Sequence, residues 1–123
     1  MYEYNSRIKR WVDGDTVDVN IDLGFSVVLS DQRIRLLGID APESRTRDLE
    51  EKARGLATKA YCEELLPPGT WFTLKTHKDG TGKYGRILGE ILYTVNDVIY
   101  NLNEELVKNN LATPYLGGKR DNG

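Results

Sequence analysis

The chain has 123 residues, the length of a single domain, and folding at this size buries roughly two-thirds of the unfolded surface, enough for one core without staples. Hydrophobic residues are 39% and charged residues 29%, a balance that excludes disorder, and no apolar run nears the ~20 residues of a membrane span. Seventeen Lys and Arg against nineteen Asp and Glu leave a net charge of −2, which excludes a protein that coats nucleic acid by bulk charge.

Tyr4 to Val12 reads as a first strand, ended by Asp13-Gly14. From Thr16 to Leu23 the pattern alternates: Val17, Val19, Ile21 and Leu23 on one parity, Asp18, Asn20 and Asp22 on the other. That is a half-buried strand. Gly24 follows as a turn. Phe25 to Leu29 and Arg33 to Ile39 read as strand, with a break at Ser30-Asp31-Gln32. After Pro42 and the polar stretch from Ser44 to Asp48, a helix is expected from about Leu49. Leu49, Ala53, Leu56, Ala57, Ala60, Tyr61 and Leu65 keep the spacing of one buried face. Pro67-Pro68-Gly69 stops the helix, because proline cannot continue the ladder.

Trp71 to Lys75 is a further strand, with Phe72 and Leu74 on one side. A glycine-rich loop from Lys78 to Gly85 leads into a strand from Ile87 to Val95. Asn96-Asp97 is hairpin-turn chemistry, since both residues tolerate left-handed backbone, and Val98 to Tyr100 returns. Asn101 with Glu104 three residues on caps a second, short helix carrying Leu102, Leu106, Val107 and Asn110. Asn110 can supply its left-handed C-terminal residue. Runs of strands broken by two helices make the chain α+β rather than alternating βαβ. A five-stranded twisted sheet of this size closes into a small Greek-key barrel of the OB-fold type. One such domain is expected over residues 1–116, with a polar tail over 117–123.

Several chemistries can be set aside. The single Cys62 allows no intrachain disulfide, and with the single His77 it cannot make a zinc site of four such ligands. Gly80-Thr81-Gly82-Lys83-Tyr84-Gly85 matches a dinucleotide fingerprint by letters, but it leads into a strand where the fingerprint must open a helix. Asp13-Gly14-Asp15 begins like a calcium loop, yet Val17 stands where a third oxygen ligand belongs. No serine sits in a nucleophile elbow, and His77 reads as solvated loop surface. The N-terminus has no apolar segment of a secretory signal, so a cytosolic protein is expected.

Three charged segments remain: Asp13-Gly14-Asp15-Thr16, the run from Arg35 to Glu43, and Lys83-Tyr84-Gly85-Arg86. Brought together, Asp15 and Asp40 can hold one divalent cation. Glu43 is then left for proton transfer, and Arg35 and Arg86 can each grip a phosphate with a planar fork. Metal, base and paired guanidinium are what phosphodiester hydrolysis by water requires. The bland alternative is that the aspartates cap turns and the arginines pair with neighbouring acids. Hard oxygen ligands leave Ca²⁺, Mg²⁺ or Mn²⁺ open.

The sequence resembles the staphylococcal nuclease (thermonuclease) family. The motifs that carry the resemblance are Val12-Asp13-Gly14-Asp15-Thr16, then Arg35-Leu36-Leu37-Gly38-Ile39-Asp40-Ala41-Pro42-Glu43, Lys83-Tyr84-Gly85-Arg86 and Asn103-Glu104-Glu105-Leu106-Val107. They stand in family order at family spacing, and Arg45 to Gly55 is similar to small phage-encoded members. The resemblance implies a Ca²⁺-dependent nuclease that cuts the P–O5′ bond of DNA or RNA and leaves 3′-phosphates. It implies Asp15, Asp40 and the Ala41 carbonyl as Ca²⁺ ligands and Glu43 as general base or orienter of water. Arg35 and Arg86 would bind the scissile phosphate, Lys83 and Tyr84 another phosphate, and Tyr115 would supply a base-stacking ring. A monomer with a nucleic-acid substrate and no membrane partner is expected. The chain departs from the family's secreted member in its weak acidity, and no counterpart of that member's third helix is expected after Tyr115. The rival reading is a noncatalytic nuclease-like module that binds nucleic acid or protein. A pure binding module, though, has no use for Asp15, Asp40 and Glu43 beside two arginines.

Overall fold

Alternation in the second strand translates directly into burial: Val17, Val19 and Ile21 all lie inside. The computed structural model describes residues 2–81 and 87–115, with backbone alone over 78–81. Strands β1 (Tyr2–Asp13), β2 (Thr16–Gly24) and β3 (Val27–Leu36) form a meander. A short β4 (Ile39–Asp40) and helix α1 (Leu49–Leu65) follow, then β5 (Trp71–Thr81), β6 (Ile87–Val95) and β7 (Val98–Asn101). Helix α2 (Leu102–Lys108) and β8 (Thr113–Pro114) complete the described chain.

The main sheet runs β3-β2-β1-β5-β6-β7, and β3 also pairs with β6 in parallel, Arg35 opposite Leu88. That extra pairing closes β1, β2, β3, β6 and β5 into a five-stranded barrel, so the α+β OB-type fold holds. Ile34, Leu36, Leu74 and Ile91 fill the core, and Leu102 and Leu106 of α2 pack against it. The Asn96-Asp97 hairpin has both residues at positive φ, and Asn110 takes the left-handed conformation after α2.

Three expectations need correction. The break at Ser30-Asp31-Gln32 is a bulge inside a continuous β3. The register with β2 shifts there, Asp31 turns left-handed, and its N–H donates to Asn20 Oδ1. Phe25 belongs to the hairpin turn, not to the strand, and is fully exposed. The glycine-rich loop begins later than the sequence suggests, because β5 continues to Thr81.

The buried face of α1 is also different. Leu49 and Leu56 are exposed at 78% and 47%, while Gly55, Thr58 and Cys62 face inward. Small residues win because this helix docks backbone against backbone, where a leucine would hold it off. Trp11 Nε1–H donates to the Leu66 carbonyl at 3.0 Å and ties the helix end to β1.

Across the outer face of the barrel, Asp18 of β2 accepts from Arg33 of β3 at 2.8 and 3.1 Å and from Arg10 of β1 at 3.0 Å. The Arg33 hydrogen bond chiefly holds the Asp18 carboxyl below the ordinary 3.8, outweighing the opposing effect of burial.

Candidate active site

Arg35 stands near the end of β3, opposite Thr16 of β2 and Leu88 of β6. Asp15 lies in the turn between β1 and β2, and its carbonyl accepts from the Leu36 N–H at 2.9 Å. Barrel register therefore sets the two side chains together, with Arg35 Nη1 3.6 Å from Asp15 Oδ2. Asp40, on β4, brings its Oδ1 to 3.2 Å from Arg35 Nη2. The guanidinium is held from behind as well: Nη1 donates to the carbonyls of Leu36 at 3.0 Å and Ile39 at 2.9 Å. Among the described residues nothing accepts from its Nε–H. Arg35 is thus aimed rather than floppy, with donor capacity to spare.

Asp15 is nearly buried. Its Oδ2 accepts the Ala41 N–H at 2.8 Å and its Oδ1 the Thr16 hydroxyl at 3.0 Å. Behind it lies Cys62, fully buried, with a thiol pushed up to about 12 by burial first and by the charge of Asp15 second. It stays a neutral core residue, not a thiolate ligand.

Glu43 is exposed and lines a groove together with Asp40 and Ala41. Its N–H donates to Glu51 Oε2 of α1 at 3.1 Å. Ser44 Oγ donates to Asp13. Glycines permit this packing. A Cβ on Gly14 would lie 2.3 Å from Thr58 Cγ2, and one on Gly55 would lie 2.6 Å from the Glu43 carbonyl. A groove of about 400 Å³ opens beside the cluster, lined among others by Asp40, Ala41, Glu43, Glu51, Arg54 and residues 110–113.

Two further segments secure the site. β8 pairs with β4, Asp40 opposite Thr113, and the Tyr115 N–H donates to Gly38 O at 2.8 Å. This pairing carries the Tyr115 ring to 6.0 Å from Arg35 Cζ. Asn103 of α2 is buried. Its Nδ2 donates to the carbonyls of Leu37 at 2.8 Å and Gly89 at 3.2 Å, and its Oδ1 accepts from the Ile91 N–H at 3.2 Å. It pins the turn between Arg35 and Asp40 to the barrel. Sequence reasoning used Asn103 only as part of a motif. A polar residue opening an otherwise capped apolar helix was the available signal.

Asp15, Arg35, Asp40, Ala41 and Tyr115 are therefore gathered in one place, and Glu43 borders the same groove. Lys83, Tyr84 and Arg86 lie outside the described residues. His77 differs from the solvated reading. It is partly buried, with Nε2 2.7 Å from Glu90 Oε2, and Glu90 Oε1 accepts from Asn101 Nδ2. Among the described residues no three Asp, Glu, His or Cys side chains converge as a metal cluster. The donors at hand are two carboxylates held on one guanidinium, hard oxygens of the kind a hard divalent cation takes.

The family described as staphylococcal nuclease homologue matches residues 33–122. Endonuclease YhcR of Bacillus subtilis is 34% identical over 98% of this chain, which spans 10% of that protein. Thermonuclease of Staphylococcus intermedius is 29% identical over 85% of the chain, 56% of its own length. An uncharacterized protein of Methanocaldococcus jannaschii, MJ1439, is 30% identical over 92% of the chain and 60% of its own length. Each relative is thus covered over less than two-thirds of its length. No described helix is long and apolar enough to cross a membrane. With the family model matched over residues 33–122 of a chain that folds as a closed five-stranded barrel, the chain belongs to the staphylococcal nuclease family.

Proposed function

We propose that the chain is a Ca²⁺-dependent nuclease that acts on DNA, with RNA as a second substrate. It would cut the P–O5′ bond and leave a 3′-phosphate. The observation that carries this reading is Arg35 held between Asp15 and Asp40 with donor capacity to spare. Asp15, Asp40 and the Ala41 carbonyl would hold Ca²⁺, which when bound supplies positive charge at the phosphate.

The residues of the chain do the rest. Arg35 presents its fork to the scissile phosphate, and Arg86 serves as its partner there. As the phosphate gains charge in the transition state, these bonds strengthen, which is where the rate is won. Glu43 orients the attacking water and takes its proton. The water oxygen bonds to phosphorus, the P–O5′ bond breaks, and the leaving 5′ oxygen collects a proton from solvent. Lys83 and Tyr84 would hold another phosphate, and the Tyr115 ring beside Arg35 offers a face for a base. One chain supplies all of these groups, so a monomer suffices.

Cleavage of single- and double-stranded DNA and RNA, assayed with Ca²⁺, Mg²⁺ or chelator at fixed ionic strength, tests the reading. Ca²⁺ should support cleavage, while Mg²⁺ should support it poorly and compete weakly. Full activity in Mg²⁺ with inhibition by Ca²⁺ would contradict the assignment. Binding without cleavage under every ion would identify a noncatalytic module.

A further inference from the structure

We infer that Arg54, on the first turns of α1, grips a non-reacting phosphate of the substrate strand, beside the scissile one. The inference rests on the nuclease reading and extends the site onto the helix. Arg54 lines the same groove as Asp40 and Glu43. Its position there is set by its neighbour: Gly55 lies so close to the backbone of Pro42 and Glu43 that a Cβ would meet three of their atoms at 2.6–2.7 Å. The helix is therefore seated on the Glu43 segment, and Arg54 is carried with it.

Charge supplies the second argument. Asp40, Glu43 and Glu51 all line the groove, and a polyanionic strand entering it meets three carboxylates. Arg54 is exposed, and among the described residues it has no ion pair or hydrogen bond, although Glu51 stands one turn before it on the helix. Surface arginines one turn from a glutamate commonly pair along the helix. Here Glu51 is engaged by the Glu43 N–H, and the guanidinium stays available to a phosphate. Such a contact acts on substrate binding and not on the reacting atoms, so it should appear in KM and in salt dependence, not in kcat.

The test compares wild type, Arg54→Ala and Arg54→Lys on two substrates at fixed Ca²⁺. One is a single-stranded oligonucleotide several nucleotides long, and the other is a chromogenic mononucleotide ester that offers only the reacting diester. On the oligonucleotide, Arg54→Ala should raise KM about tenfold with kcat unchanged. It should also flatten the dependence of log KM on log salt by ~0.7, the share of one phosphate on a single strand. Arg54→Lys should restore the salt slope, and the chromogenic ester should not respond to either change. An unchanged oligonucleotide KM in Arg54→Ala would overturn the assignment, as would equal losses on both substrates. Wild-type protein that cleaves neither substrate would instead overturn the nuclease reading, and Arg54 with it.

Discussion

Gly55 of α1 and Glu43 of the preceding loop are in backbone contact: a Cβ built on Gly55 would lie 2.6 Å from both the carbonyl carbon and oxygen of Glu43. In a free helix, Gly55→Ala would gain ~1 kcal/mol from helix propensity. Here the added methyl meets backbone that cannot rotate away, and such overpacking costs about 1–3 kcal/mol. The cost wins, so Gly55→Ala should lower the urea midpoint and shift Glu43, reducing turnover. A raised midpoint would show that the helix is not seated on the loop.

Glu43 is exposed and hydrogen-bonded only through its backbone N–H among the contacts described, which leaves its carboxylate to the groove. Glu43→Gln should lower kcat by ~10²–10⁴, the usual worth of a general base. Ca²⁺ affinity should change little if, as proposed, Asp15 and Asp40 hold the ion. Near-normal turnover in single-turnover kinetics would remove Glu43 from the chemistry.

Arg86→Lys keeps the charge and loses the fork, so kcat should fall by ~10²–10³ with the fold intact. Arg35→Lys should do the same and cost stability as well. A lysine cannot satisfy the Leu36 and Ile39 carbonyls while also meeting Asp40, and each buried acceptor left open costs about 1–3 kcal/mol. Among the described residues, His77→Ala loses only the Glu90 pairing, and it should leave turnover unchanged. Activity abolished by His77→Ala but spared by Arg86→Lys would reassign the reaction.

Asp18 makes acid stability a readable quantity. Its folded carboxyl is held below the ordinary 3.8, so the unfolded chain binds that proton more readily. The stabilisation is complete above 3.8 and is lost as pH falls through the depressed folded value. Asp18→Asn should therefore cost about 1–2 kcal/mol at neutral pH, and the difference from wild type should shrink below pH ~3.8. Denaturation at both pH values checks this, and a pH-independent difference would contradict it.

Local pattern was enough for the main strands, the two helices and the cap of α2. Val17, Val19 and Ile21 alternate because one face of β2 is inside, and Asn101 caps α2 because its side chain can reach the Glu104 N–H. That Asp15, Arg35 and Asp40 could meet was also legible, since all three stand at or beside strand ends, and the structure places both carboxylates against the Arg35 guanidinium. Which face α1 buries was not legible. Periodicity marks apolar positions, but Leu49 and Leu56 lost to Gly55, Thr58 and Cys62 because closeness to the Glu43 backbone and to Gly14 rewards small side chains. The bulge at Asp31 was likewise invisible, since it depends on an Asn20 side chain from another strand. The seating of Tyr115 beside Arg35 required the pairing of β8 with β4, a contact between residues more than seventy positions apart. Sequence alone determined which groups this chain owns, because composition and local spacing are properties of single segments. Only the tertiary structure decided which of them share a guanidinium, a groove or a helix face, because those distances are set by barrel closure and by which backbones can touch.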